Sequence, residues 1–428
     1  MNIKSLLLGS AAALVAVTGA RAADVIVPMA EPVEYVRVCD VYGTGFHYIP
    51  GTETCMSISG FLRFQYTVNG PIEDSFGNDF LVNNEGDDYT AGFGTEIHLN
   101  FDVREETELG TLRAYMTLEN NSMSSYGFDG NFDADNAYIQ LGGLTMGYLD
   151  SLWTEGDGFA TDTDLPVGDF EVNRVSYTFA AGGLAASISL EDDVSGDFAP
   201  NVVGKLGYSG GFGGFNLYGV YEESVPFGAG GLAGPVLVSP FIPAIPAIGA
   251  LPAVPAVPGV ATFGPNVSED AFVLKANLSL ENLIADDSEL KFEGSYAFDP
   301  STYSTIGLFS TSIAPVNNLN TAFGNVPVEW QIGAGYSQSF GKLGVAVAGV
   351  YGEVFDTFSV QTVAPFDRIR TGESDFYKLV GNVGYEITNN FDMLAEVSYT
   401  NLDIDGRNGF VDNEIDQTAG FLRFQRNF

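Results

Sequence analysis

The six residues Gly60-Phe61-Leu62-Arg63-Phe64-Gln65 recur, residue for residue, as Gly420-Phe421-Leu422-Arg423-Phe424-Gln425. Both copies alternate apolar and polar side chains, the period-two signature of a strand with two unlike faces. They begin and end the alternating part of the chain, which stops on the aromatic Phe428. An open sheet leaves a row of unpaired backbone groups at each edge, and joining its first strand to its last removes both rows. The repeat therefore points to a closed antiparallel cylinder with these two segments as its seam. The competing fold is a soluble sandwich in which one of them is an edge strand.

About sixteen alternating segments can be traced, near residues 56–69, 95–104, 111–119, 136–141, 144–149, 174–179, 184–190, 201–208, 215–222, 271–280, 289–298, 328–339, 343–354, 376–387, 391–400 and 415–428. In the first, Ile58, Leu62, Phe64, Tyr66 and Val68 share one face, and Ser57, Ser59, Arg63, Gln65, Thr67 and Asn69 share the other. A sandwich would have to cover its apolar faces with a second sheet, and the polar faces here are too ionic for a packed core. Lipid outside and water inside satisfy both faces. The expected fold is all-β: a transmembrane antiparallel β-barrel of about sixteen strands over residues 56–428.

The connections support the same division. Short links (142–143, 180–183, 209–214, 340–342, 388–390) alternate with long ones (70–91, 120–135, 150–173, 223–270, 299–327, 355–375, 401–414). Short periplasmic turns and long outer loops are how outer-membrane barrels are built, and an even strand count leaves both termini in the periplasm. Upstream, residues 1–22 read as a secretory leader with a basic start, an apolar run and the small-x-small signal Ala20-Arg21-Ala22. Residues 23–55 read as a periplasmic segment holding Cys39 and Cys55. In an oxidising compartment a Cys39–Cys55 disulfide is expected. The rival is a metal pair with His47 as third ligand, but the spacing matches no usual zinc pattern and a fourth ligand is missing.

Charge narrows the partners. With 17 Lys+Arg against 55 Asp+Glu the formal net charge is -38. Nucleic acid is excluded, since phosphate recognition needs clustered Lys and Arg. Ions and small solutes suit the chain, as do outer-membrane lipid and lipopolysaccharide bridged by divalent cations. Residues 150–173 carry Glu155, Asp157, Asp162, Asp164, Asp169 and Glu171 and no basic residue. This loop is expected to fold into the lumen as the acidic side of a constriction; the alternative is a solvated outer loop. Arg63, Arg113 and Arg423 have lumen parity on the first, third and last strands, and Arg104 and His98 on the second. Together they are expected to line one sector of wall facing the loop. Opposed charges would set up a transverse field, and the acidic excess would favour cations.

Residues 224–268 have no charge and nine prolines, which rule out a membrane helix and favour a polyproline-type outer insertion over a partner-binding segment. Catalysis, cofactor and metal are not expected. Only His47 and His98 are available as imidazole bases, and no G-x-S-x-G occurs. His98, beside Glu96 and Asn100, reads as a polar wall residue.

Residues 35–55, Y-V-R-V-C-D-V-Y-G-T-G-F-H-Y-I-P-G-T-E-T-C, followed by I-S-G-F-L-R-F, resemble the amino-terminal signature of the alphaproteobacterial porins, the rhizobial-type general porins. The run A-Y-I-Q-L-G-G-L-T-M-G-Y, residues 137–148, resembles that family's approach to its constriction loop. The resemblance implies a homotrimer of sixteen-stranded barrels that pass ions and small hydrophilic solutes passively. Members often carry a basic residue where this chain has Tyr148, so that contribution is missing. A substrate-selective channel and a surface receptor or adhesin barrel are the other readings.

Overall fold

The computed structural model describes residues 37–428 apart from 76, 78–80, 82, 84, 123–131, 197, 224–235, 240–258, 264–269, 311–325, 364–365 and 405–412. The expected leader, residues 1–22, lies outside the described residues. Period-two alternation is realised as sixteen wall strands. They are β1 Cys55–Asn69, β2 Thr90–Thr107, β3 Gly110–Asn121, β4 Asp133–Leu141, β5 Leu144–Asp150, β6 Glu171–Ala181, β7 Leu184–Glu191 and β8 Asn201–Gly210. The others are β9 Gly213–Glu222, β10 Ala271–Glu281, β11 Ser288–Ala297, β12 Val326–Phe340, β13 Leu343–Val363, β14 Phe366–Thr388, β15 Phe391–Ile404 and β16 Asn413–Asn427. Each pairs antiparallel with its chain neighbours, and β1 pairs with β16, so the barrel is closed.

The seam explains the repeat. Phe64 lies directly opposite Phe424, Arg63 opposite Gln425 and Gln65 opposite Arg423. Arg63 Nε donates to Gln425 Oε1 at 3.0 Å, and Arg423 Nε to Gln65 Oε1 at 2.8 Å. Run antiparallel against itself, R-F-Q thus makes two reciprocal arginine–glutamine bonds on the lumen face and sets Phe64 opposite Phe424 on the outer face. The outer side of β1 is apolar and exposed at Ile58, Leu62, Phe64, Tyr66 and Val68, as a surface solvated by lipid tails must be.

Two expectations about the long connections need correction. Residues 355–375, expected as an outer loop, instead prolong a hairpin whose ladder runs to Val363 opposite Phe366. Their sequence keeps β-forming Val, Phe, Ile and Thr at alternate positions, so nothing stops the ladder at the rim. The charge-free insertion is laddered near both ends. Val236–Ser239 pairs with Gly259–Phe263, and the latter with residues 358–362 of β13. Those two stretches lack proline and can donate to a ladder; most of the proline cadence, 240–258, lies outside the described residues.

Before β1, Cys39 and Cys55 are joined by a disulfide with their Cα atoms 6.1 Å apart, which excludes the metal pair. A short 3-10 turn, Asp40–Tyr42, follows Cys39. Tyr42 and Phe46 cover the bridge, and the Arg104 guanidinium lies 5.1 Å from the Phe46 ring.

Candidate functional site

The connection between β5 and β6, residues 151–170, turns inward, and its apolar residues take it there. Trp153, Phe159, Leu165 and Val167 are fully buried against Val203, Tyr218, Val220, Val273, Ala348, Val350 and Phe376 on the inner faces of β8, β9, β10, β13 and β14. A second inward segment, residues 301–310 between β11 and β12, adds Tyr303, Ile306 and Leu308 to the same cluster. The expectation that the inner face is too ionic for a packed core fails on this arc of the wall. Two backbone features permit the close fit. Gly333 and Gly335 on β12 leave the space that Phe159 fills, since a Cβ at either would lie under 3 Å from that side chain. Gly168 adopts φ +77°, a conformation that suits glycine, beneath the Tyr303 carbonyl.

Polar groups pin the loop at root and tip. The Glu191 carboxylate accepts from Ser151 Oγ at 2.7 Å, Leu152 N at 2.9 Å and Tyr303 Oη at 2.9 Å. The Trp153 indole donates to the Val167 carbonyl at 2.9 Å. At the tip, Glu396 on β15 accepts from Asp162 N at 2.8 Å, Thr163 N at 2.6 Å and Asn382 Nδ2 at 3.0 Å. Lys378 Nζ donates to the carbonyls of Asp164 at 2.8 Å and Gly307 at 2.9 Å, joining both inward segments.

The six acids do not act as one group. Glu155 meets Arg174 at 2.7 Å and Lys205 at 3.2 Å, and Asp157 meets the fully buried Lys275 at 3.1 Å. These acids hold the loop to the wall behind it. Asp162 crosses the lumen and takes both guanidinium nitrogens of Arg423. Glu171 belongs to β6 rather than to the loop. Asp164 and Asp169 make no ion pair among the described residues and keep contact with lumen water. The protein surrounding Asp164, and then the neighbouring Asp169, raise its carboxyl well above the usual carboxylate range.

The four expected basic residues also divide. Arg63 sits beside Arg423, donating to Glu96 at 2.8 Å. Arg104 and Arg113 share Asp102, at 2.7 and 2.9 Å, and Arg113 also donates to Tyr138 Oη. Asp102 lies six residues along β2 from Glu96, roughly 20 Å toward the disulfide-capped end. Parity placed these two arginines on the lumen face but at another depth, where Arg104 lies over Tyr42 and Phe46 of the amino-terminal segment and Arg113 meets Tyr138 and Tyr115 rather than the loop. Arg174, Lys205, Lys275, Lys378, Glu191 and Glu396 escaped the sequence reading. A signal was available for Glu191, Lys205 and Lys275, which stand in otherwise apolar or small-residue strands; Arg174, Lys378 and Glu396 share their strands with other charged residues.

A family model described as "Porin subfamily" matches residues 24–420. Porin Omp2b of Brucella canis is 39% identical over 267 residues, covering 56% of this chain and 71% of that protein. Porin Omp2a of Brucella ovis is 43% identical over 246 residues, covering 50% and 68%. Among solved structures, the outer membrane channel DcaP of Acinetobacter baumannii superposes with a TM-score of 0.56 at 13% identity, covering 89% of this chain and 99% of that one. That likeness concerns the fold alone.

Proposed function

We propose that this chain, which belongs to the porin family and lies in the outer membrane as a multi-pass β-barrel, conducts ions and small hydrophilic solutes passively with a preference for cations. The observation that carries the preference is the surplus at the constriction. Asp162 is matched by Arg423, whereas Asp164 and Asp169 have no ion-pair partner among the described residues and touch lumen water. A cation passing the loop meets Asp169 and Asp164, the latter with the Lys378 ammonium bound at its backbone carbonyl, neither carboxylate held in an ion pair among the described residues, in a narrowed passage where each charge acts more strongly than in bulk water. Arg423 and Arg63 on the facing wall supply the positive side of a transverse field. Nothing in this reading asks for a chemical step, a cofactor or a nucleophile.

The expected oligomer is a homotrimer, as the family likeness implies, with acidic outer loops meeting lipopolysaccharide through divalent cations. The test is the reversal potential of single channels under a salt gradient. Asp164→Asn with Asp169→Asn should move it toward zero while leaving large stepwise openings intact; closure in three steps would support the trimer. An unchanged reversal potential in the double variant would remove the assignment.

A substrate-selective channel is the second reading, and the inward segment 301–310 favours it. With the loop it fills one side of the lumen with packed protein, which an unselective water pore does not require. Saturable blockade by one solute, competed by its analogues, would move this reading ahead.

A further inference from the structure

We propose that Glu96, His98 and Glu119 form a site for one divalent ion of the zinc class on the lumen wall, away from the loop-packed arc. The strand register assembles it. His98 on β2 stands directly opposite Glu119 on β3, and Glu96 precedes His98 by two residues on the same face. One ligand atom from each of the three lies within 4.8 Å of the others.

Three details point to an ion rather than to a hydrogen-bonded cluster. His98 Nδ1 is buried and has no hydrogen-bond partner. Its nearest anionic neighbour, Glu96 Oε1, is 3.8 Å away, beyond hydrogen-bond reach. Nitrogen and oxygen donors on a tetrahedral zinc, each about 2.0–2.2 Å from the metal, stand about 3.4 Å apart, so a small closure of that gap seats the ion. The surroundings leave the donors available and oriented. Arg63 occupies Glu96 Oε2 at 2.8 Å, leaving Oε1, and Asn121 donates to one oxygen of Glu119 at 2.8 Å. The Phe61 ring, 4.6 Å from the imidazole centroid, fixes its plane. The far nitrogen, Nε2, is 3.9 Å from Asp135 Oδ2, too long for a hydrogen bond, so Asp135 adds no second-sphere contact to the site.

The donor set selects the metal. One imidazole and two carboxylates with a fourth position open to lumen water match zinc, whereas calcium takes six to eight oxygens and magnesium an octahedral shell.

Titration calorimetry of the folded, detergent-solubilised full chain with zinc chloride tests the site. Expected is one zinc per chain, with calcium and magnesium far weaker, and affinity at least about tenfold lower in His98→Ala and Glu119→Gln. Cobalt(II), added instead, should give the visible absorption of a tetrahedral site in the native chain only. If His98→Ala fails to fold, His98→Gln keeps the side chain's bulk and serves the same comparison. Zinc binding of equal affinity in the variants would place the metal on outer acidic loops and overturn the proposal. So would absence of zinc binding, or calcium binding as strong as zinc. Calorimetry needs no ion flow, so its failure and the failure of the channel reading are separate results.

Discussion

The two sides of the lumen solve opposite problems. From β8 to β14 the inner wall is Val203, Val220, Val273, Val350 and Phe376, covered by Trp153 and Phe159 as in a soluble protein's core. From β16 through β1 to β3 it is Arg423, Arg63, Glu96, Asp102 and Arg113, an ionic surface that only water can solvate. A loop hung in a wide aqueous pore would lose its charges' positions to thermal motion, because exposed ion pairs are worth about 1 kcal/mol or less. Burying a Trp and a Phe contributes several times that. The apolar side therefore decides where the loop stands, and the ionic side, with one cross-lumen contact at Asp162, decides what it faces.

The largest way to break this division is on the apolar side. Trp153→Ala should cost the loop's packing roughly 3–5 kcal/mol, releasing residues 151–170 from the wall. Single-channel conductance should rise, with added current noise, while the barrel keeps its β-sheet circular dichroism. A native-sized, quiet channel in this variant would mean that Glu191, Glu396 and the lysines suffice to place the loop.

A smaller effect is expected from the other side. Arg423→Gln removes the partner of Asp162 but leaves Glu396 holding the loop tip, so conductance should change little and the reversal potential should move further toward cations. A large conductance change would show that the ion pair, and not the apolar seat, positions the tip. The smallest effect comes from pH. Asp164 has its carboxyl raised by its surroundings, so it takes up a proton earlier than ordinary carboxylates as pH falls. Cation preference should therefore be full at alkaline pH and decline as the pH falls through about 7, and Asp164→Asn should flatten that decline in reversal-potential measurements.

The ionic side was legible in the sequence because it obeys strict alternation. Arg63, Gln65, Glu96, His98 and Arg113 are polar residues between apolar ones, and period two assigns them to the lumen. Parity carries no depth, which is why Arg104 and Arg113 were grouped with Arg63 although they meet Asp102 near the other end. The apolar side obscures its own pattern. In Leu343-Gly344-Val345-Ala346-Val347-Ala348-Gly349-Val350 both faces are apolar, so alternation cannot tell lipid from loop. Lys275 stands alone between apolar residues of β10, and such an isolated charge was the unread sign that something folds back to meet it; Lys378 and Glu396 share their strands with other charges and gave no such sign. The acidity of residues 150–173 singled out the loop. It did not show that Glu155 and Asp157 serve attachment, since that depends on Arg174, Lys205 and Lys275 from strands distant in sequence.

The reciprocal seam between β1 and β16 has a consequence beyond geometry. Because R-F-Q recognises another R-F-Q, each free edge of an unclosed sheet is complementary both to its proper partner and to the same edge of a second molecule. The proper partner is at the far end of the chain, so closure is a slow, long-range event, and until it happens every nascent sheet offers two matching ends to its neighbours. The motif that secures the finished cylinder is also an invitation to chain one incomplete cylinder to the next. Crowding before closure, rather than weakness after it, is the hazard built into this sequence.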